Sequence, residues 1–309
     1  MLKIKAKPFL KWAGGKSQLL CQFEKYYPGD LSGGIIENYI EPFVGGGAVF
    51  FEVIQKYNIQ SSYIYDINKD LILTYQVIQK TPDLLLEILQ RYQSDYNHAD
   101  EQGRKNLFLS VRKQFNVERL EINHTIFSEN WMPRAAQFIF LNKTCFNGLF
   151  RLNSKGEFNV PFGGYKKPNI WDENNILAVS ELLQNTIIEL STYENCFDLA
   201  DEKTFVYFDP PYRPISKTAS FTTYTGFEFT DVEQIKLSHF FKKLDTQKCS
   251  KLMLSNSDPK NENPNDDFFE KIYNGYELHR VYARRMINCN AEKRGKINEL
   301  LVTNYGLPT

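Results

Sequence analysis

The sequence predicts an α/β fold, an open and largely parallel sheet with helices on its faces, interrupted by one long insertion. Three observations carry this. Ile35–Ile40 reads as a strand, Glu41-Pro42-Phe43-Val44-Gly45-Gly46-Gly47 as a glycine turn, and Ala48–Ile54 as the start of a helix. Tyr63-Ile64-Tyr65 is a second strand, ending in Asp66-Ile67-Asn68 about twenty residues past the glycines, where an acidic side chain takes ribose hydroxyls. Thr204–Phe208 is a buried strand that runs straight into Asp209-Pro210-Pro211-Tyr212.

At the N-terminus, Phe9–Ser17 contains Gly14-Gly15-Lys16-Ser17. A phosphate-binding P-loop needs a further glycine five positions before that Gly-Lys-Ser. Leu10 stands there, so a nucleotide-triphosphatase is excluded. The Gly-Gly turn with Trp12, Ala13 and Lys16 suits a small anionic ligand such as a carboxylate, and Gln18-Leu19-Leu20 then opens a helix. The glycine turn at 45–47 lets backbone approach a ligand closely. With Asp66 it describes a nucleotide-binding βα unit, leaving a dinucleotide and S-adenosylmethionine both open.

Asp70 to about Gln93 reads as one amphipathic helix, and Tyr96–Ser128 is polar with Leu107, Phe108, Val111 and Phe115 at helical spacing. Another helix, Trp131–Leu141, leads to a segment read as a β-hairpin with loops, 142–168. It combines an exposed aromatic, amides, one Arg and a basic end, which are base-edge and phosphate readers. Asp172–Gln184 is helical, and Thr186–Leu190 is a third strand ending near Tyr193. After the strand at 204–208, residues 213–230 read as a Ser/Thr/Tyr-rich mobile loop over the site. Asp231–Leu244 is a helix, Lys251–Ser255 a strand, and Tyr276–Tyr282 and Glu299–Tyr305 closing strands.

The strand at 204–208 organises the rest. Phe205, Val206, Tyr207 and Phe208 are types that fill a central strand. Two prolines stop it, since neither can donate to a sheet ladder. Asp209 is thereby held at the carboxyl end of a strand, the edge where open α/β sheets bind ligands. A carboxylate and a fixed backbone carbonyl, both accepting N–H protons, suit work on a planar and nearly non-basic amine such as the exocyclic nitrogen of adenine. Tyr212 would stack on a base taken out of its duplex. Taken alone, the four residues fit an ordinary Pro-rich turn equally well.

Composition narrows the classes. The 309 residues, with 24 Phe and 18 Tyr, can bury a large core and are expected to form two domains. No apolar run approaches the ~20 residues of a membrane helix, and Lys3, Lys5 and Lys7 have no apolar stretch behind them to make a signal peptide. Five dispersed cysteines without a CxxC pair read as reduced cytoplasmic thiols, and with four scattered histidines they give no metal site. Net charge is zero, so a nucleic-acid surface must be local. Residues 134–168 carry six Lys or Arg against Glu157 alone, and residues 280–296 six against Glu292 alone, as a phosphate-facing surface would.

Four stretches together resemble the Dam-type (GATC) DNA adenine-N6 methyltransferases of the alpha class: Phe-Leu-Lys-Trp-Ala-Gly-Gly-Lys (9–16), Glu-Pro-Phe-Val-Gly-Gly-Gly (41–47), Asp66-Ile67-Asn68 and Asp209-Pro210-Pro211-Tyr212. The similarity runs nearly end to end and includes Phe146–Arg151 and Asn159–Phe162. It implies a Rossmann-like catalytic domain, residues 1–72 and 172–309, with a mainly helical target-recognition domain, 73–171, carrying the hairpin. S-adenosylmethionine would meet Trp12, Ala13, Gly14, Gly15 and Lys16 at its methionine end and Glu41, Pro42, Phe43, Gly45 and Gly46 beside it. Asp66, with Ile67 and Asn68, would hold its ribose, and Tyr193 and Asp209 complete the set. Asp209, Pro210, Pro211 and Tyr212 would receive a flipped adenine.

On the hairpin, the same resemblance has Arg151 read the first guanine and Phe146 wedge into the stack. Asn147 and Leu149 would contact the central bases, Pro161 a thymine methyl, and Gly148 and Asn153 the same interface. Gly164 replaces a phosphate-binding Arg of many relatives, leaving Lys166 and Lys167 for that grip. Residues 191–194 lack the Asp-Phe pair that some relatives show. A cytoplasmic monomer acting on double-stranded DNA is expected; the resemblance leaves open both a companion restriction endonuclease and the base that follows GAT in the target. Rival readings are an RNA adenine or protein glutamine methyltransferase, and a catalytically silent DNA-binding relative. The basic hairpin and the Asp at 209 argue against the first two, and the complete cofactor set against the third.

Overall fold

The computed structural model describes residues 4–213, 229–284 and 296–307. Its centre is a seven-stranded sheet in the order β3-β2-β1-β4-β5-β7-β6. The strands are β1 (Asn38–Glu41), β2 (Ser61–Asp66), β3 (Thr186–Leu190), β4 (Thr204–Phe208), β5 (Lys251–Ser257), β6 (Glu277–Arg284) and β7 (Lys296–Thr303). The first five are mutually parallel, and β7 runs antiparallel to both β5 and β6. Strand order reverses between β1 and β4, so those two carboxyl ends flank the crevice in which such sheets bind ligands.

Adjacent residues of the strands feed opposite faces, as the pleat requires. Tyr39, Ile64, Phe205, Tyr207 and Met253 enter one core cluster; Ile40, Tyr65, Val206, Phe208 and Leu252 enter the other. The short helices α1 (Leu20–Phe23) and α2 (Gly29–Ser32) and then α3 (Ala48–Lys56) and α4 (Lys69–Lys80) add Phe23, Leu31, Phe50 and Leu71 to the first.

The insertion follows as α5 (Pro82–His98), α6 (Glu101–Glu118) and α7 (Trp131–Thr144), and α8 (Glu173–Leu183) returns the chain to the sheet. Leu89, Phe115, Phe138 and Val179 from these helices lie in the same continuous cluster. The opposite face is closed by α9 (Cys196–Leu199), α10 (Asp231–Lys248) and α11 (Phe268–Ile272), through Cys196, Leu237, Phe241 and Phe269.

Three readings change. The single helix expected from Asp70 to about Gln93 is two, broken at Thr81. Pro82 cannot continue a ladder but suits the first turn of α5. The hairpin is less regular than expected, with two isolated bridges, Cys145 to Phe162 and Leu152 to Phe158, around a 3-10 turn at Phe146–Gly148. Arg134, counted with the phosphate-facing charges, is only 1% exposed. Its guanidinium meets Asp70 at 2.7 and 3.0 Å and lies 3.3 Å over the Phe115 ring, tying α7 to α4. Residues 214–228 of the loop expected over the site, and residues 285–295 of the second basic stretch, lie outside the described residues.

Candidate functional site

β4 is buried along its whole length between β1 and β5, so Asp209 leaves it at a fixed point. Both carboxylate oxygens are engaged. Oδ2 accepts from Lys16 Nζ at 2.7 Å, and Oδ1 from Ser255 Oγ at 2.9 Å. The Ser255 hydroxyl accepts in turn from the Tyr207 phenol at 2.7 Å. Lys16 is 2% exposed; its ammonium also donates to the Gly14 carbonyl at 2.6 Å and sits 4.7 Å over the Tyr212 ring. The Tyr212 hydroxyl donates to Glu299 Oε2 at 2.5 Å, from β7. The Asp209-Pro210-Pro211-Tyr212 turn is thus held from the N-terminal loop, β5 and β7 together.

Beside it, β1 ends in Glu41, buried and accepting from the Tyr39 hydroxyl at 2.6 Å. Burial holds its carboxyl well above the usual range, against the pull of the Tyr39 hydroxyl. Gly45 and Gly47 adopt φ of 47° and 71°, open to glycine at little cost. A Cβ at Gly45 would come within 2.8 Å of the Trp12 indole, so Trp12 packs directly on the turn. The half-buried Asp66 accepts from the Gly45 N–H at 3.1 Å and the Asn68 N–H at 2.8 Å. Burial pushes its carboxyl up to about 6, against the pull of those N–H donors. Asn68 caps α4 through Oδ1, while its Nδ2 is buried without a partner. Phe43 stacks on Tyr193 with centroids 5.7 Å apart. Pro42 is buried, Ala13, Gly14 and Gly15 are exposed, and Ile67 points largely to solvent.

The insertion reaches this pocket through Lys11 and Trp12. Trp12 stacks on Phe150 at 6.1 Å. Asn142, 2% exposed on α7, pairs with both the N–H and the carbonyl of Lys11 at 2.8 Å and donates to the Gly148 carbonyl at 2.8 Å. At the tip, Asn147 has φ 56° and Gly148 φ 64°, and this turn lifts Phe146 to 52% exposure. Arg151, half-buried, donates through Nε to Asn159 Oδ1 at 2.8 Å. Leu149 is half-buried, and Pro161, Lys166 and Lys167 are exposed. Asn153 is spent on the turn itself, accepting from the N–H groups of Lys155 and Glu157 and donating to the Glu157 carboxylate.

The family model for D12 class N6 adenine-specific DNA methyltransferases matches residues 12–287. The chain belongs to this family. It is 48% identical to the type II methyltransferase M.MjaIII of Methanocaldococcus jannaschii, over 98% of this chain and the whole of that protein. It is 36% identical to the type II methyltransferase M1.LlaDCHI of Lactococcus lactis subsp. cremoris, over 98% and 97% of the two chains. It is 33% identical to the DNA adenine methylase of Escherichia coli strain K12, over 96% and 95%.

The protein is therefore an adenine-specific DNA methyltransferase that uses S-adenosylmethionine. The pocket beside Asp209 fits that donor. Asn68 offers a buried, unpartnered amide N–H beside the Asp66 carboxylate, and the glycine turn admits close approach. Among the described residues no helix is long and apolar enough to cross a membrane.

Ser255, Glu299, Gln234, Asn256 and Asn142 were not singled out by the sequence. One signal was present: Ser255-Asn256-Ser257 follows the apolar run Leu252-Met253-Leu254, and a polar run at a carboxyl strand end marks a ligand crevice.

Proposed function

We propose that this D12 methyltransferase is the modification enzyme of a type II restriction-modification system and methylates the adenine N6 of GATC in duplex DNA after flipping that base out of the helix. The observation that carries the active-site reading is the pairing of Asp209 with Lys16 and Ser255 at the β1–β4 crevice, next to the Tyr212 ring. The Asp209 carboxylate and the Pro210 carbonyl accept the two N–H protons of the target amine and draw its lone pair out of the ring. Tyr212 stacks on the flipped base. S-adenosylmethionine supplies a methyl group on a sulfonium, ready for displacement. Trp12, Phe43, Asp66, Asn68 and Tyr193 would hold it beside the target amine, and no covalent enzyme intermediate is needed.

The hairpin supports the target. Arg151 presents its guanidinium to the first guanine, Phe146 wedges into the stack, Asn147 and Leu149 meet the central pairs, and Pro161 meets a thymine methyl. Lys166 and Lys167 grip phosphate. Residues 73–171 serve as the recognition domain, and 1–72 with 172–309 as the catalytic one. The names of the M.MjaIII and M1.LlaDCHI relatives favour a companion endonuclease. The protein works as a cytoplasmic monomer.

Expression in a host lacking adenine methylation, followed by mapping of methylated positions on a plasmid, tests this. Methyl-adenine confined to GATC is expected. Modification at a different site overturns the target, and no methyl-adenine at all overturns the assignment.

A further inference from the structure

The turn that carries Asp209 has an unusual need. Its two prolines have no N–H, so it cannot fix its own peptide planes by backbone bonding. Two fully buried amides do this instead. Gln234, at 0% exposure in the first turn of α10, donates through Nε2 to the Pro211 carbonyl at 3.1 Å. Its Oε1 accepts from Asn256 Nδ2 at 3.2 Å. Asn256, also at 0% exposure, accepts at Oδ1 from the Arg213 N–H at 3.2 Å and the Ser257 N–H at 2.9 Å.

The pair therefore clasps the turn on both sides of Tyr212. Arg213 locks the outside of the clasp, meeting Asp231 at 2.7 and 3.0 Å and Asp266 at 2.7 Å. Gln234 otherwise occupies the apolar stripe of its helix, with Leu237, Phe241 and Leu244. A buried amide there costs stability unless both of its ends are used, and both are used on the path to the turn.

We propose that Gln234 is a positioning residue for methyl transfer, relayed through Asn256. Holding the Pro211 carbonyl orients the adjoining Pro210–Pro211 peptide, and with it the Pro210 carbonyl that accepts from the target amine. The proposal rests on the reading of Asp209 and Pro210 as the amine acceptors. Gln234 makes no contact with either reactant; it acts by removing the freedom of a turn that lacks its own donors.

The test is single-turnover methyl transfer to a duplex containing the mapped site. Gln234→Met keeps the volume and removes the donor. Its transfer rate should fall about ten- to a hundredfold, as misplacement of a reacting group does. Equilibrium dissociation constants for duplex and for S-adenosylhomocysteine should stay within about twofold of wild type, since uniform binding is untouched. An unchanged rate overturns the proposal, and so does a rate loss matched by equal losses in both affinities.

If Gln234→Met does not fold, Gln234→Glu retains the acceptor for Asn256 and can donate to Pro211 only when protonated. Its rate relative to wild type should then rise as pH is lowered, and a flat ratio overturns the proposal. Asp209→Ala is run alongside. Normal turnover in that variant condemns the active-site reading, whereas a dead Asp209→Ala with a normal Gln234→Met condemns this inference alone.

Discussion

Lys16 donates to Asp209 across 193 residues of chain at 2.7 Å, with the lysine buried and the carboxylate partly open to the crevice. The ammonium balances that carboxylate at one oxygen, and the Ser255 hydroxyl holds the other. Asp209→Asn keeps the shape but replaces the charged acceptor. Methyl incorporation is expected to drop about a hundred- to a thousandfold while duplex binding by gel shift persists. Incorporation near the wild-type level would remove Asp209 from catalysis.

Arg151 is held through its Nε by Asn159. Arg151→Ala should relax discrimination at the guanine by about 1–3 kcal/mol, read as the ratio of kcat/KM between cognate duplex and duplexes altered at that pair. An unaltered ratio takes Arg151 out of the reading set.

Asp70 is buried on α4 against Arg134 and His124. Burial alone would raise its carboxyl, but the bonds and charges of His124 and Arg134 win and hold it at about 2. A depressed carboxyl contributes stability above its unfolded value, and that contribution is lost as pH falls through about 2. Asp70→Ala strands a buried guanidinium, and chemical denaturation at neutral pH should show a loss of about 3–5 kcal/mol. The loss relative to wild type should shrink as pH is lowered from about 4 towards 2.

The Asp66 carboxyl, pushed up to about 6 by burial, has the opposite sign. The folded state binds a proton that the unfolded state has already released. Stability therefore falls as pH rises from the ordinary carboxylate value to about 6. Asp66→Asn should be more stable than wild type at pH 7, by at most about 3 kcal/mol. It should also bind S-adenosylhomocysteine more weakly. In the wild-type protein that affinity should decline as pH drops through 6, a limb that calorimetry should find missing in Asp66→Asn.

Asn142 joins Lys11, next to Trp12, to Gly148 of the hairpin. Asn142→Asp removes the two donations and keeps the acceptor. The dissociation constant for duplex, measured with and without S-adenosylhomocysteine, should show less mutual tightening than in wild type. Equal coupling in the two proteins would refute a linking role.

The sheet could be read from the sequence because its signals are local. Thr186–Leu190 and Thr204–Phe208 match their observed spans, since a short apolar run before a polar turn needs no distant partner to declare itself. The insertion of β7 between β5 and β6 could not be read, because pairing order is set by long-range packing. Within the site, Asp209, Tyr212, Asp66 and the glycine turn stood out because strand ends and turns expose them. The sequence places Lys16 at the methionine end of S-adenosylmethionine, yet its ammonium lies on Asp209, a contact that only tertiary closure makes. Gln234 was invisible for a related reason: one amide on an apolar helix stripe looks like a surface residue until its two partners arrive from the turn and from β5.

β7 sits between two strands that both precede it along the chain. While the ribosome is still short of it, β5 keeps one bare edge and β6 has nothing to pair with. Glu299 is also missing from beneath Tyr212. Such a nascent chain offers open strand edges that favour clumping and carries an unfinished pocket. Prematurely terminated products should thus mark no DNA, and a cell making this protein receives full-length enzyme or inert debris, with no half-active form between them.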